Sequence, residues 1–268
     1  MATFGTTNPF DQQKNIEGIK NIIAVGAGKG GVGKSTIATN LAVTLAKRGV
    51  KVGLLDADIY GPSIPKMMGL EKMRPNVTAS KKIEPLVSHG VKTMSIGYLI
   101  EENSAVIWRG PMLFKAIDQF LRDVNWGELD YLIVDLPPGT GDVQLSLTQK
   151  VPLSGAVIVS TPQDIALIDV KRCVDMFKRL KIPILGLIEN MTTFSCPHCH
   201  ESSKLFQSGD LHAFCLQAEI PILGGIPFNA KVGEASEKGE PFSLSSGSEE
   251  EASFNHAAGL ILEKTTSA

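Results

Sequence analysis

The sequence predicts an α/β fold: one doubly wound, mostly parallel sheet with helices on both faces. Its apolar runs are continuous Val/Ile/Leu stretches bounded by Gly and Pro rather than alternating ones, the pattern of parallel strands covered on both sides. These runs alternate with amphipathic segments, which implies right-handed βαβ crossovers. A glycine-rich turn joins the first run to the first such segment. The 268 residues, 43% hydrophobic and 20% charged, suffice for a packed core. One domain is expected over 16–268, after a flexible tail at 1–15.

Taken in order, the predicted strands are Asn21–Ala27, Lys51–Asp56, Val91–Ile96, Tyr131–Leu136, Ala156–Ser160, Ile184–Ile188 and Ile222–Ile226. A helix is predicted over Lys34–Lys47, where Ile37, Leu41 and Leu45 recur at helical spacing before Gly49 stops it. Pro111–Val124 and Asp164–Leu180 carry the same pattern. Ile59–Lys82, rich in Gly, Pro and Met, and Met191–Ser208 read as irregular, and Ser243–Glu251 as mobile.

Gly28-Lys29-Gly30-Gly31-Val32-Gly33-Lys34-Ser35 satisfies GxxxxGK[ST] directly after a strand and at the opening of a helix. Glycines let successive N–H groups turn into one concavity, and the helix dipole adds to its pull on an anion. Lys34 is placed to bridge the β- and γ-phosphates of ATP and Ser35 to ligate Mg²⁺, with Thr36 as a further phosphate contact. The second lysine, Lys29, makes the loop resemble the deviant Walker A of the MinD/ParA-like ATPases. In that group this lysine reaches the partner's phosphates across a nucleotide-sandwich dimer.

Ligands bind at the carboxyl ends of parallel strands. Asp56 and Asp58 end the second strand, and Asp135 ends YLIVD before LPPGTGD. Asp135 is assigned the Walker B role on magnesium, Asp58 the positioning of the hydrolytic water, and Asp56 magnesium or switch support. Gly139 and Gly141 lend mobility to a loop that senses the γ-phosphate.

Cys196-Pro197-His198-Cys199-His200 holds two of the four cysteines. A redox dithiol, a c-type haem attachment, a zinc site completed by His198 and His200, and an iron–sulfur cluster all compete for this string. A cluster wants four thiolates and one chain offers a pair, but two chains about a two-fold axis supply four. Lys29 already implies such a dimer, which favours the cluster; zinc is the alternative. Cys173 and Cys215 read as packing cysteines.

With GKGGVGKST, LLDADIYGPSIPKMMG, VIWRGPM, DYLIVDLPPGTGDVQLSL, STPQDIAL, GLIENM, CPHC and GGIPF, the sequence resembles the Mrp family of P-loop ATPases, the iron–sulfur cluster carriers. The resemblance spans about residues 15–242. It implies a MinD/ParA-like P-loop NTPase fold, a homodimer with ATP at its interface, weak ATP hydrolysis, and a labile [4Fe-4S] cluster bridged by Cys196 and Cys199 of both chains. It also implies Asn190 and Pro227 in the adenine pocket, and apo iron–sulfur proteins and a cluster donor as partners. No four-cysteine ferredoxin-like segment precedes the loop, so a second stable cluster is not expected, and the N-terminal domain of many bacterial members is missing.

A net charge of −2 gives no support for nucleic-acid or anionic-membrane binding. The C-terminal segment begins acidic and carries one lysine, unlike the basic amphipathic helix of membrane-recruited positioning ATPases of the MinD/ParA kind, the rival reading alongside a zinc-stapled ATPase and a redox ATPase that keeps its cluster. No signal or import pattern is visible at the N-terminus, so a cytoplasmic location is expected, with the mitochondrial matrix open if a transit peptide has been removed.

Overall fold

A computed structural model describes residues 15–266 apart from 59–60, 100–109, 142–143, 146–147, 149–150, 197, 200 and 207–209. Of the expected 1–15 tail only Asn15 falls among them. In chain order the elements are β1 (Ile19–Gly26), α1 (Lys34–Lys47), β2 (Val52–Asp56), α2 (Ile64–Met67), β3 (Leu86–Ser88), β4 (Val91–Ser95), α3 (Gly110–Arg122), β5 (Leu129–Asp135), β6 (Gly155–Ser160), α4 (Asp164–Arg179), β7 (Ile184–Ser195), β8 (Ser202–Lys204), α5 (Leu211–Gln217), β9 (Ile222–Phe228), α6 (Ala230–Lys238) and α7 (Glu249–Thr266).

The strands form one sheet in the order β3-β4-β2-β5-β1-β6-β7-β8, with β9 also paired to β7. Pairing is parallel except for β3 with β4 and β7 with β8. Alternate residues of a strand face opposite sides, yet all of β2, all of β6 and the last five residues of β1 are buried, so both faces of the central sheet are covered. The predicted α/β architecture is therefore the observed one. Helix α1 occupies its predicted span and buries Ile37, Leu41 and Leu45 completely. Its remaining faces are covered too, because α7 packs Phe254, Ala257 and Ile261 into the same core.

Three expectations need correction. Strand β7 continues past Ile188 to Ser195, since its polar second half pairs with β8 and then with Phe228 of β9. The segment Ser243–Glu251 is built into the fold: Ser243 is fully buried and its N–H donates to Asn40 Oδ1 at 2.7 Å, while Glu251 pairs with Lys47 at 2.7 Å. Within Ile59–Lys82, α2 forms and Val77 bridges Ile83.

Parallel register brings the strand ends together. Val25 of β1 lies beside Asp135 of β5, and Asp135 beside Asp56 of β2. The loop that follows β1 consequently opens onto two buried carboxylates.

Candidate functional site

The loop Gly28–Gly33 leaves β1 and enters α1 through Gly33, whose φ of 84° lies in the left-handed region, with Gly31 at 79°. A side chain would be strained at either position. At Gly28 the constraint is space: a Cβ would lie 2.2 Å from the Asp169 carbonyl oxygen of α4. Among the described residues no side chain caps α1, and its first turn holds no acidic residue, which leaves the N–H groups there available to an anion. By contrast, α6 is capped by its own Asn229, whose Oδ1 accepts from Lys231 N.

Behind the loop, the Lys34 ammonium lies 2.6 Å from Asp135 Oδ1, 3.3 Å from Ser35 Oγ and 3.9 Å from Asp58 Oδ2. Lys34 is 6% exposed and Asp135 fully buried. Asp135 Oδ2 is buried and accepts no hydrogen bond among the described residues. Asp56, also fully buried, accepts from Ser95 Oγ at 3.0 Å, Asp58 N at 3.1 Å and Ile64 N at 3.4 Å. Burial first, then the neighbouring Asp135, pushes the Asp56 carboxyl up to about 8, against the opposing pull of Lys34. Of the three carboxylates only Asp58 lines the cavity of about 260 Å³ that Lys29, Gly30, Gly31, Lys34, Ser35 and Thr36 also border. Lys29 itself reaches Gln163 Oε1 at 3.2 Å, just before α4.

A second cavity of about 280 Å³ adjoins the loop at Gly33 and Thr36. It holds both residues assigned to a base pocket, Asn190 and Pro227, beside Met191, Phe228 and Val232. Asn190 Nδ2 also donates to Val32 O at 2.9 Å, tying β7 to the loop.

The cysteine pair lies at the far end of β7, where Cys196 N donates to Glu201 O and closes the β7–β8 hairpin. Cys196 is half-buried and Cys199 exposed. Backbone donation from Cys199 and then His198 lowers the Cys196 thiol below its ordinary range. Cys173 and Cys215 are buried as expected, with thiols pushed up to about 12 and about 11 by desolvation. Among the described residues no three of His, Cys, Asp and Glu gather into a group that could hold a metal ion. No described helix is long and apolar enough to cross a membrane.

A family model described as ParA, the NUBPL iron-transfer P-loop NTPase, matches residues 18–262. The chain belongs to this family. A relative named "Iron-sulfur cluster carrier protein" from Aquifex aeolicus is 52% identical over 90% of this chain and 66% of its own length. The "Iron-sulfur cluster transfer protein NUBPL" of Mus musculus is 46% identical over 96% of this chain and 81% of its own. The chain thus spans just under two thirds of the bacterial carrier. Among solved structures, a nucleotide-binding protein from Archaeoglobus fulgidus in complex with ADP is 41% identical, covers 87% of this chain and superposes with a TM-score of 0.76. The cell division ATPase MinD of Pyrococcus furiosus, 22% identical with a TM-score of 0.67, shares the fold.

Sequence reasoning about this NUBPL-type NTPase missed several residues that the fold brings to the site. Met191, Phe228, Asn229 and Val232 border the second cavity, and Gln163 receives Lys29. One signal was readable: Asn229 precedes a stretch of helix-forming residues, the mark of an N-cap. The others carry no local signal, because the cavity residues are placed by the pairing of β7 with β9 and Gln163 by the pairing of β6 with β1.

Proposed function

We propose that the chain is an ATP-binding, slowly hydrolysing carrier that takes an iron–sulfur cluster as cargo on the Cys196 and Cys199 thiols of two facing copies and passes it to apoproteins. One observation carries the reading: a single strand, β7, holds the phosphate loop through Asn190 and presents the thiol pair just past its C-terminal end. The names of the relatives point the same way.

In this reading the open N–H groups of α1 and Lys34 bind and orient the phosphates of ATP, with the base beside Asn190 and Pro227. Asp58, on the cavity wall, orients the attacking water. Lys29 leaves Gln163 to meet the phosphates held by the partner chain, where its charge stabilises the transition state. The oxygens at hand fit Mg²⁺: Asp135 Oδ2, unpartnered among the described residues, and the Ser35 hydroxyl would hold it, with Asp56 in support. When bound, that ion supplies charge neutralisation for the phosphates. Cys196, already lowered by backbone donation, is readied as a thiolate for soft iron. Each chain contributes half the cage, so cargo binding requires the dimer.

Anaerobic reconstitution tests this. About two irons per chain with a cluster absorption band, in a dimer, are expected, followed by iron loss to an apo-ferredoxin. A loaded protein that stays monomeric overturns the reading, as does zinc in place of iron after anaerobic purification. Lys29→Ala is expected to slow hydrolysis and spare ATP affinity; normal hydrolysis would remove the role across the dimer. Pelleting with anionic vesicles and ATP would favour a positioning ATPase.

A further inference from the structure

Strand β7 shifts register against β9 twice, at Leu187/Ile188 and again between Asn190, which holds the phosphate loop, and Phe194, close to the thiols. Met191 has a φ of 62°, a left-handed conformation that a long side chain rarely adopts. There the pairing with β9 slips, with a register shift between Asn190 and Phe194, as in a bulge. Beyond it Phe194 regains register with Phe228, their ring centroids 6.2 Å apart at 56°. Cys196 follows two residues later.

Phe228 ends β9, and the segment Pro227–Asn229 that leads into α6 borders two cavities at once. One is the cavity of about 280 Å³ beside Gly33 and Thr36; the other, of about 560 Å³, reaches Cys196 and Phe194. This segment is anchored, for Asn229 Nδ2 donates to the buried Glu250 at 2.9 Å. Met191 borders the first cavity and Phe194 the second, so the bulge and the ring pair bridge the two.

We propose that the Met191 bulge and the Phe194–Phe228 contact are the positioning element by which a nucleotide in the first cavity sets the placement of the Cys196 thiol. The inference rests on the reading that both sites serve one cycle. A nucleotide seated against Met191, Pro227 and Phe228 restrains the bulge and the end of β9. The ring pair passes that restraint to the hairpin, which Cys196 N closes by donating to Glu201 O. A ligand shifts an equilibrium only through contacts that differ between its states, and here those contacts lie on residues joined to the hairpin. The linkage is reciprocal: occupied thiols change nucleotide affinity by the same factor.

The test alkylates the metal-free full chain with iodoacetamide, with and without saturating ADP, and follows Cys196 by peptide mass spectrometry. ADP is expected to slow its alkylation about fivefold. Phe194→Ala, outside the nucleotide cavity, is expected to keep ADP affinity within about twofold and to cut the protection below about 1.5-fold, with Phe194→Tyr restoring it. Full protection in Phe194→Ala overturns the inference, as does a wild-type chain that binds ADP with no change at Cys196. Protection that scales with protein concentration also overturns it, since a second copy would then be the shield. Should Phe194→Ala fail to fold, Phe194→Leu, which removes the ring pair and keeps an apolar side chain, carries the same expectation. None of these readouts involves iron, so failure here and failure of the carrier reading are separable.

Discussion

Replacing Lys34 by methionine is expected to destabilise the nucleotide-free protein as well as weaken its hold on phosphate. The ammonium is 6% exposed and 2.6 Å from Asp135, whose side chain is fully buried. Methionine keeps much of the stem's packing and removes the charge, leaving a buried carboxylate without its cation. Breaking a buried pair in this way costs about 3–5 kcal/mol. At about 2 °C per kcal/mol for a chain of this size, the melting temperature falls by roughly 6–10 °C. The loss also depends on pH. Folded Asp56 titrates at about 8, far above its unfolded value, so it retains a proton that the unfolded chain releases, and stability falls as pH rises through that window. Lys34 restrains this shift, so without it the window extends upward and the gap from wild type is wider at about pH 8.5 than at about pH 5.5. Calorimetry of the nucleotide-free chain at both pH values measures the effect. Lys34→Met combined with Asp135→Leu removes both charges and is expected to recover most of the loss. A single variant that melts with the wild type at the higher pH, or a double variant no better than the single, refutes the reasoning.

Other outcomes follow from the same geometry. Cys196→Ser or Cys199→Ser is expected to abolish iron binding while leaving ADP affinity within about twofold by calorimetry; a large loss of ADP affinity would make the pair structural. In a pH series of alkylation, the Cys196 midpoint is expected below the ordinary thiol value of about 8.5, with buried Cys173 and Cys215 unreactive until the chain unfolds. Gly28→Ala drives a Cβ against backbone at 2.2 Å and is expected to cost about 2–3 kcal/mol with loss of nucleotide binding. Gly31→Ala meets nothing within 4 Å and pays mainly for its φ of 79°, about 1 kcal/mol; thermal melts that rank the two the other way would contradict this.

Much of this protein was legible without coordinates because its strongest signals are local. Continuous apolar runs in β1, β2, β5 and β6 demand burial on both faces, and the Ile37/Leu41/Leu45 spacing demands a helix, whatever surrounds them. The glycine-rich loop, its two lysines and the CPHC pair likewise declare their chemistry in a few adjacent residues. Polar β7 beyond Ile188 reads as loop because its partners, β8 and Phe228, are remote in sequence. Ser243–Glu251 reads as mobile because Ser and Glu favour solvent, yet Asn40 and Lys47 of α1 supply partners that no local pattern reveals.

The sequence by itself determined the parallel sheet, the anion-binding loop and the identity of the thiols, since each follows from residue chemistry at short range. Only tertiary structure decided that buried Lys34 faces both Asp135 and Asp56, that Lys29 rests on Gln163, and that Cys196 directly follows the strand that holds Asn190 and bulges at Met191. Those facts depend on strand order and register, which are set by the packing of segments more than a hundred residues apart rather than by the preferences of any one of them.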